Sequence, residues 1–270
     1  MERKQPEILL TSFPRSGNTY LRNILYEVYG IYSWNNLRKF YNNAEHIQRM
    51  QKKIESGRSN EKKLEKLEEL MQFGKFPILK SHELPHEILP YCIPDVKIIY
   101  MIRDGRDACV SSAHHRSDLI APGSDFTDNL KQAITASMGS YFGGWSKNIE
   151  EWMKVAHKVI YFEELVENPI EVTEQLRGIL DMPEPDTSKL PTFESQRDGQ
   201  AHFGGAARPQ LSEEERDEFN KKFFRRGKIG GWKDEMPEDL HELFWSLHGE
   251  MSEKLGYMKD GTIRKPLGNG

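Results

Sequence analysis

Four short runs of the chain are apolar almost throughout: Ile8-Leu9-Leu10-Thr11-Ser12-Phe13, Phe76-Pro77-Ile78-Leu79-Lys80, Val96-Lys97-Ile98-Ile99-Tyr100-Met101-Ile102 and Lys158-Val159-Ile160-Tyr161-Phe162. Between them the apolar residues return at helical spacing, as in Leu21, Ile24, Leu25 and Val28, a segment closed by Gly30. Strands without polar alternation, separated by helices, predict a parallel sheet covered on both faces, hence an α/β fold. Asn168-Pro169 reads as a cap with proline at the first helical position, predicting an amphipathic helix through Ile170, Val172, Leu176 and Ile179. Leu240 to Leu255 has the same helical pattern. In sheets of this kind ligands bind beyond the carboxyl ends of the strands, where the first and third runs carry polar clusters.

The 270 residues are expected to form a single domain, 1–270, with a charged helical insertion at about 45–73 and a loose tail at about 261–270. Glu45 to Phe73 reads as a solvated charged helix, with a partner-docking face as the alternative. A 37% hydrophobic content excludes wholesale disorder, and a net charge of −4 argues against a protein that coats nucleic acid. Whatever anion it binds must then meet a local basic site. No apolar run nears the roughly 18 residues needed to cross a bilayer, and residues 1–6 show no leader core, so a cytoplasmic protein without a membrane partner is expected. Cys92 and Cys109, the only cysteines, lack metal-ligand spacing and read as buried thiols.

Phe13-Pro14-Arg15-Ser16-Gly17-Asn18-Thr19 lies where the first strand passes into a helix. Such a turn aims backbone N–H groups into one concavity at the positive helix end, and Ser16, Asn18, Thr19 and Arg15 add donors and charge. It lacks the G-x-x-x-x-G-K-[ST] spacing of the nucleoside-triphosphate loop, and an ordinary capped turn explains the same residues. Lys80-Ser81-His82 closes the second strand, with Lys80 and His82 two apart and so on one side, and imidazole is suited to taking a proton from a hydroxyl at neutral pH. Arg103 ends the third strand with Ser111 eight residues on, a pair suited to a phosphate, though Asp104 and Asp107 could also engage the arginine. Arg225-Arg226-Gly227-Lys228-Ile229-Gly230-Gly231-Trp232-Lys233 threads cations through glycines and reads as a second anion site or a solvated basic loop. Two anion sites suggest a ligand with two phosphate groups.

In this order the four elements resemble the sulfotransferases that use 3′-phosphoadenosine 5′-phosphosulfate (PAPS) and release 3′-phosphoadenosine 5′-phosphate (PAP), a likeness spanning about residues 8–257. The resemblance implies a P-loop NTPase-like sulfotransferase fold and transfer of the sulfuryl group from PAPS to a hydroxyl or amine of a small-molecule acceptor, with no metal. It implies His82 as general base and Arg15 and Lys80 as cations facing the transferred group. It also implies residues 15–19 (Arg15, Ser16, Gly17, Asn18 and Thr19) as the 5′-phosphosulfate loop, and Arg103, Ser111, Arg225, Arg226 and Gly227 around the 3′-phosphate. Tyr20 and Phe193 would enclose adenine. Arg15 stands where lysine is commoner, Tyr20 where tryptophan is, and Phe162 where many members place a tyrosine in the nucleotide site. The acceptor side, drawn from residues 31–43, the loop after His82, Ser117 to Phe142 and the region near Phe203, matches the family least, and Trp34, Phe40, Tyr41, Tyr141 and Phe142 offer either an aromatic wall or core packing. Nucleic acid is not expected as a partner, while a homodimer is permitted. The alternatives are a P-loop-type nucleotide phosphotransferase and a non-catalytic nucleotide-binding interaction module.

Overall fold

A computed structural model describes residues 7–34, 78–199, 202–204 and 212–265. The helical insertion expected at 45–73, Phe40 and Tyr41 fall outside these residues. The described residues contain a parallel five-stranded sheet, β1 (Ile8–Ser12), β2 (Ser33–Trp34), β3 (Ile78–Ser81), β4 (Lys97–Ile102) and β5 (Lys158–Tyr161), in the order β2-β3-β1-β4-β5. β1 is central: Leu10 lies beside Lys80 of β3 and Ile99 of β4. The chain leaves β1 towards one edge, returns through β3 and crosses to β4 on the other side. That reversal opens a crevice at the carboxyl ends of these three strands, where the sequence places its polar clusters.

Alternate residues of each strand feed two cores. Leu9, Leu79, Ile98, Tyr100 and Ile102 pack on one face, against α2 (Gly105–His115), α3 (Phe126–Thr135), α4 (Trp145–Met153) and the C-terminal α7 (Glu238–Lys254). Ile8, Leu10, Ile78, Ile99, Met101 and Ile160 pack on the other, against Leu21, Ile24, Leu25 and Val28 of α1 (Asn18–Tyr29). Each of these strand residues is buried, which is why no polar alternation marks the strands.

Some boundaries differ from the sequence reading. β2 was not anticipated, since two residues are too few to show a period. β5 ends at Tyr161, so Phe162 opens α5 (Phe162–Glu167) and stands at the strand's exit. Asn168 occupies the cap position of α6 (Pro169–Glu174) but makes no side-chain capping bond, and the helix tightens into a 3₁₀ turn over Gln175–Gly178. Val172 and Leu176 still enter the core. The tail read as loose from 261 is tied back as far as Arg264, whose N–H donates to the Gly256 carbonyl at 2.8 Å, with Ile263 bridged to Tyr257. Both cysteines are free, Cys109 buried and Cys92 half-buried. No helix of the described residues is long and apolar enough to cross a membrane.

Candidate active site

The turn after β1 is shaped by two left-handed residues, Gly17 (φ 96°) and Arg15 (φ 65°). A side chain at 17 is excluded by space as well as by φ, because a Cβ there would lie 2.4 Å from the Phe162 ring. Arg15 has no such licence, and a non-glycine residue in this region costs about 1–3 kcal/mol, a strain typical of functional turns. Among the described residues nothing accepts from the N–H groups of residues 16–19. The Ser16 hydroxyl is likewise buried without a partner. Unpaired amides at the start of a helix, beside an unpaired hydroxyl, form the anion cradle the spacing implied. Asn18 departs from that reading, since its amide turns away to donate to Ser12 Oγ at 2.7 Å.

Lys80 and His82 face the same cavity from the end of β3. His82 Nδ1 lies 2.8 Å from the Ser12 carbonyl oxygen, which can only accept. Nδ1 therefore carries the proton, and Nε2 keeps its lone pair. Burial holds the His82 pKa well below the ordinary imidazole value, reinforced by the charge of Lys80. Burial, with Arg22 and Arg15 nearby, lowers Lys80 to about 7. Arg22 was missed by the sequence reading: buried on α1, it donates to Ser33 Oγ at 2.6 Å, stacks over Phe203 and adds positive potential behind Lys80.

Arg15 reaches across the cavity rather than towards His82 alone. Its Nε donates to Ser111 Oγ at 3.1 Å and a terminal nitrogen to the Phe223 carbonyl at 2.7 Å. Burial lowers its pKa to about 10, helped by Arg103 and Arg225. Arg103 donates to the carbonyls of Arg15 and Lys228 and lies over the Phe162 ring, while its Nε is buried without a partner. Of the acids that could claim Arg103, Asp104 is taken by another arginine and Asp107 makes only a long ion pair to it. Asp104 pairs with the fully buried Arg106 at 2.8 Å, and Asp107 accepts from the N–H groups of Gly230 and Trp232, 3.9 Å from Arg103. Asp107 thereby fastens the basic loop to α2.

In that loop Arg225 and Arg226 pair with Glu235, and Lys228 with Asp234. Glu235 also meets His114 at 2.6 Å. The sequence signal for Glu235 was its position two residues past the basic motif, too weak to single it out. Gly227 (φ 60°) is held tight under Phe193, where a Cβ would lie 2.5 Å from the ring.

The cradle, the end of β3, Arg103 and the basic loop line one cavity of about 860 Å³, within the range of small-molecule sites. It brings together Arg15, Gly17, Asn18, Thr19, Tyr20, Lys80, His82, Arg103, Ser111, Phe162, Phe193, Arg225, Arg226 and Gly227, with Ser16 buried just behind. Tyr141 and Phe142 also line it, and Phe142, at φ 45°, sets its ring 6.1 Å from that of His82. The side chain of Trp34 lies outside the described residues.

The family model of the sulfotransferase domain matches residues 5–256. Sulfotransferase 1A1 of Canis lupus familiaris is 24% identical over 264 residues, covering 93% of this chain and 85% of the relative. Flavonol 3-sulfotransferase of Flaveria bidentis is 24% identical over 272 residues, 93% and 82%. Among solved structures, a mouse sulfotransferase complexed with PAP superposes with a TM-score of 0.62 at 16% identity, covering 93% of this chain and 85% of that one. Retinol dehydratase in complex with androsterone and PAP gives 0.59 at 17% identity, covering 97% and 84%.

Proposed function

The chain belongs to the sulfotransferase family, and from that premise we propose that the cavity takes PAPS and a small-molecule acceptor, with His82 removing the acceptor's proton as the sulfuryl group is transferred. The observation that carries this reading is the 2.8 Å contact from His82 Nδ1 to the Ser12 carbonyl. It makes the Nε2 lone pair the free face of a residue lining the cavity, and the lowered pKa keeps that lone pair unprotonated at neutral pH.

The residues present fit the donor. Its two anionic ends find two sets of donors: the unpaired amides of residues 16–19 with Ser16 Oγ, and Arg103 with Ser111 and the basic loop, whose cations are paired with Glu235 and Asp234 until a phosphate takes the place of a carboxylate. When bound, PAPS supplies the sulfuryl group. Lys80 and the cradle amides stand where they would offset charge growing on the leaving 5′-phosphate. Arg15, bonded to Ser111, spans both ends. Tyr20, Phe162 and Phe193 supply the aromatic surface for adenine. The whole chain acts as one domain, and two free cysteines suit a cytoplasmic setting.

The test has two parts. PAP should raise the melting temperature more than ATP with Mg²⁺ does, and PAPS with a panel of phenols and amines should yield sulfated products by mass spectrometry alongside PAP. Stronger protection by ATP with Mg²⁺ would favour a phosphotransferase. Protection by PAP without transfer to any acceptor would favour a non-catalytic binding module.

A further inference from the structure

Arg15, Lys80, Arg103, Arg225 and Arg226 are taken up by the donor site, and Lys228 is paired with Asp234. A further cation, Arg116, lines the cavity and belongs to neither group. It opens the π-helical turn Arg116–Ile120 that follows α2, a distortion that often marks functional positions. Its Nε is buried, and no described residue accepts from it. The carboxylates of the cavity wall are engaged elsewhere, Asp107 by backbone N–H groups and Glu235 by Arg225, Arg226 and His114. No hydrogen bond or ion pair among the described residues joins Arg116 to Asp118, two residues on. A buried guanidinium nitrogen without an acceptor carries a desolvation penalty that an anionic ligand group would remove.

The surroundings narrow the ligand. Arg116 acts on the hydroxyl of Tyr141, and the wall it shares with His82 continues through Val110, Ile120, Phe142 and Phe223. Ile120 is 60% exposed, an apolar side chain left open at this wall. An apolar, largely aromatic surface with one cation beyond those of the donor site fits a flat ring bearing a single negative charge. A carboxylate matches the guanidinium fork and needs one cation, whereas a phosphate dianion calls for more than one.

Resting on the sulfotransferase reading, we propose that the acceptor is an aromatic hydroxyl compound carrying a carboxylate, which Arg116 receives while the hydroxyl meets His82. In the reaction the acceptor O–H proton goes to His82 Nε2, the acceptor oxygen bonds to sulfur, and the bond from sulfur to the 5′-phosphate oxygen breaks, leaving PAP.

The experiment measures PAP release from PAPS with 4-hydroxyphenylacetate and 3-(4-hydroxyphenyl)propanoate, each beside its methyl ester, in the parent and in Arg116→Met and Arg116→Lys. Parent kcat/KM should favour at least one acid over its ester by about tenfold or more, the worth of a charged hydrogen bond. Arg116→Met should bring that ratio to within about threefold of unity, and Arg116→Lys should restore part of it. PAP should still raise the melting temperature of Arg116→Met. A parent indifferent to the carboxylate, or a preference that survives in Arg116→Met, overturns the proposal. So does loss of PAP protection in that variant, which would assign Arg116 to the nucleotide. Failure of the underlying reading looks different: the parent itself would neither be protected by PAP nor release PAP with any acceptor, acid or ester.

Discussion

The two ends of the crevice handle positive charge in opposite ways. At the β1–β3 end, Lys80 and His82 are desolvated and have no carboxylate beside them among the described bonds and ion pairs, and their pKa values fall accordingly. At the basic loop, Arg225, Arg226 and Lys228 are half-buried or exposed and already neutralised by Glu235 and Asp234. The unpaired Lys80 ammonium in a dry setting acts at full strength on a charge that develops only during reaction, and it needs no partner exchange to do so. Paired cations must trade a carboxylate for a phosphate, which tempers affinity and lets the nucleotide leave. On the proposed reading the first end serves the chemistry and the second the grip, and substitutions should separate along that line.

The largest split is expected at Lys80→Met, which should lower kcat by about 10²–10³-fold, as does removal of one preorganised electrostatic donor, with the PAP dissociation constant changing much less. Equal losses in both would erase the distinction between the ends. Arg103→Ala should do the reverse, weakening PAP by about 10–100-fold in calorimetry, since a charged bond is lost at a phosphate. The preference for PAP over adenosine 5′-phosphate should shrink with it, and an unchanged preference would move the 3′-phosphate elsewhere.

The pH dependence sharpens the comparison further. Lys80, near 7 in the free protein, is mostly neutral at pH 8, and an anionic ligand beside it raises its pKa. Binding should therefore take up protons at pH 8, visible as a calorimetric enthalpy that varies with the buffer's ionisation heat. Affinity should fall by up to about tenfold per pH unit above 7 until another group titrates. Because burial keeps His82 neutral, the acid limb of kcat/KM, which reports the free protein, should begin below the ordinary imidazole range, so a limb at or above pH 6.5 would contradict that environment. The smallest effect belongs to Lys228→Ala. That side chain is 55% exposed and its carboxylate partner 51%, and a pair so solvated is worth little, so PAP affinity should move by about twofold or less.

Much of this was legible in the chain because it rests on local pattern. Fully apolar strands announce a covered parallel sheet, and each cluster at a strand end falls by topology into the crevice. What could not be read is what depends on contacts between distant segments. The Arg15 to Ser111 bond joins residues 96 positions apart, and the Ser12 carbonyl that sets the His82 tautomer lies 70 away. Asp107 reads in sequence as a partner for Arg103 and becomes the anchor of the basic loop only when α2 and that loop meet. Asn18 reads as a ligand donor because short polar side chains favour such turns, yet the Ser12 hydroxyl captures its amide. Arg116 sits in no motif at all, and its significance appears only as a buried nitrogen without a partner.

The central claim is that His82 performs the proton transfer and takes no part in holding the nucleotide. His82→Asn keeps an amide able to donate to the Ser12 carbonyl while removing the base. Single-turnover transfer from PAPS, measured beside PAP binding in the same variant, tests the claim directly. Transfer should slow by about 10²–10⁴-fold, the range of a lost general base, while PAP affinity stays within about threefold of the parent. Parallel loss of both, or transfer at the parental rate, would contradict it.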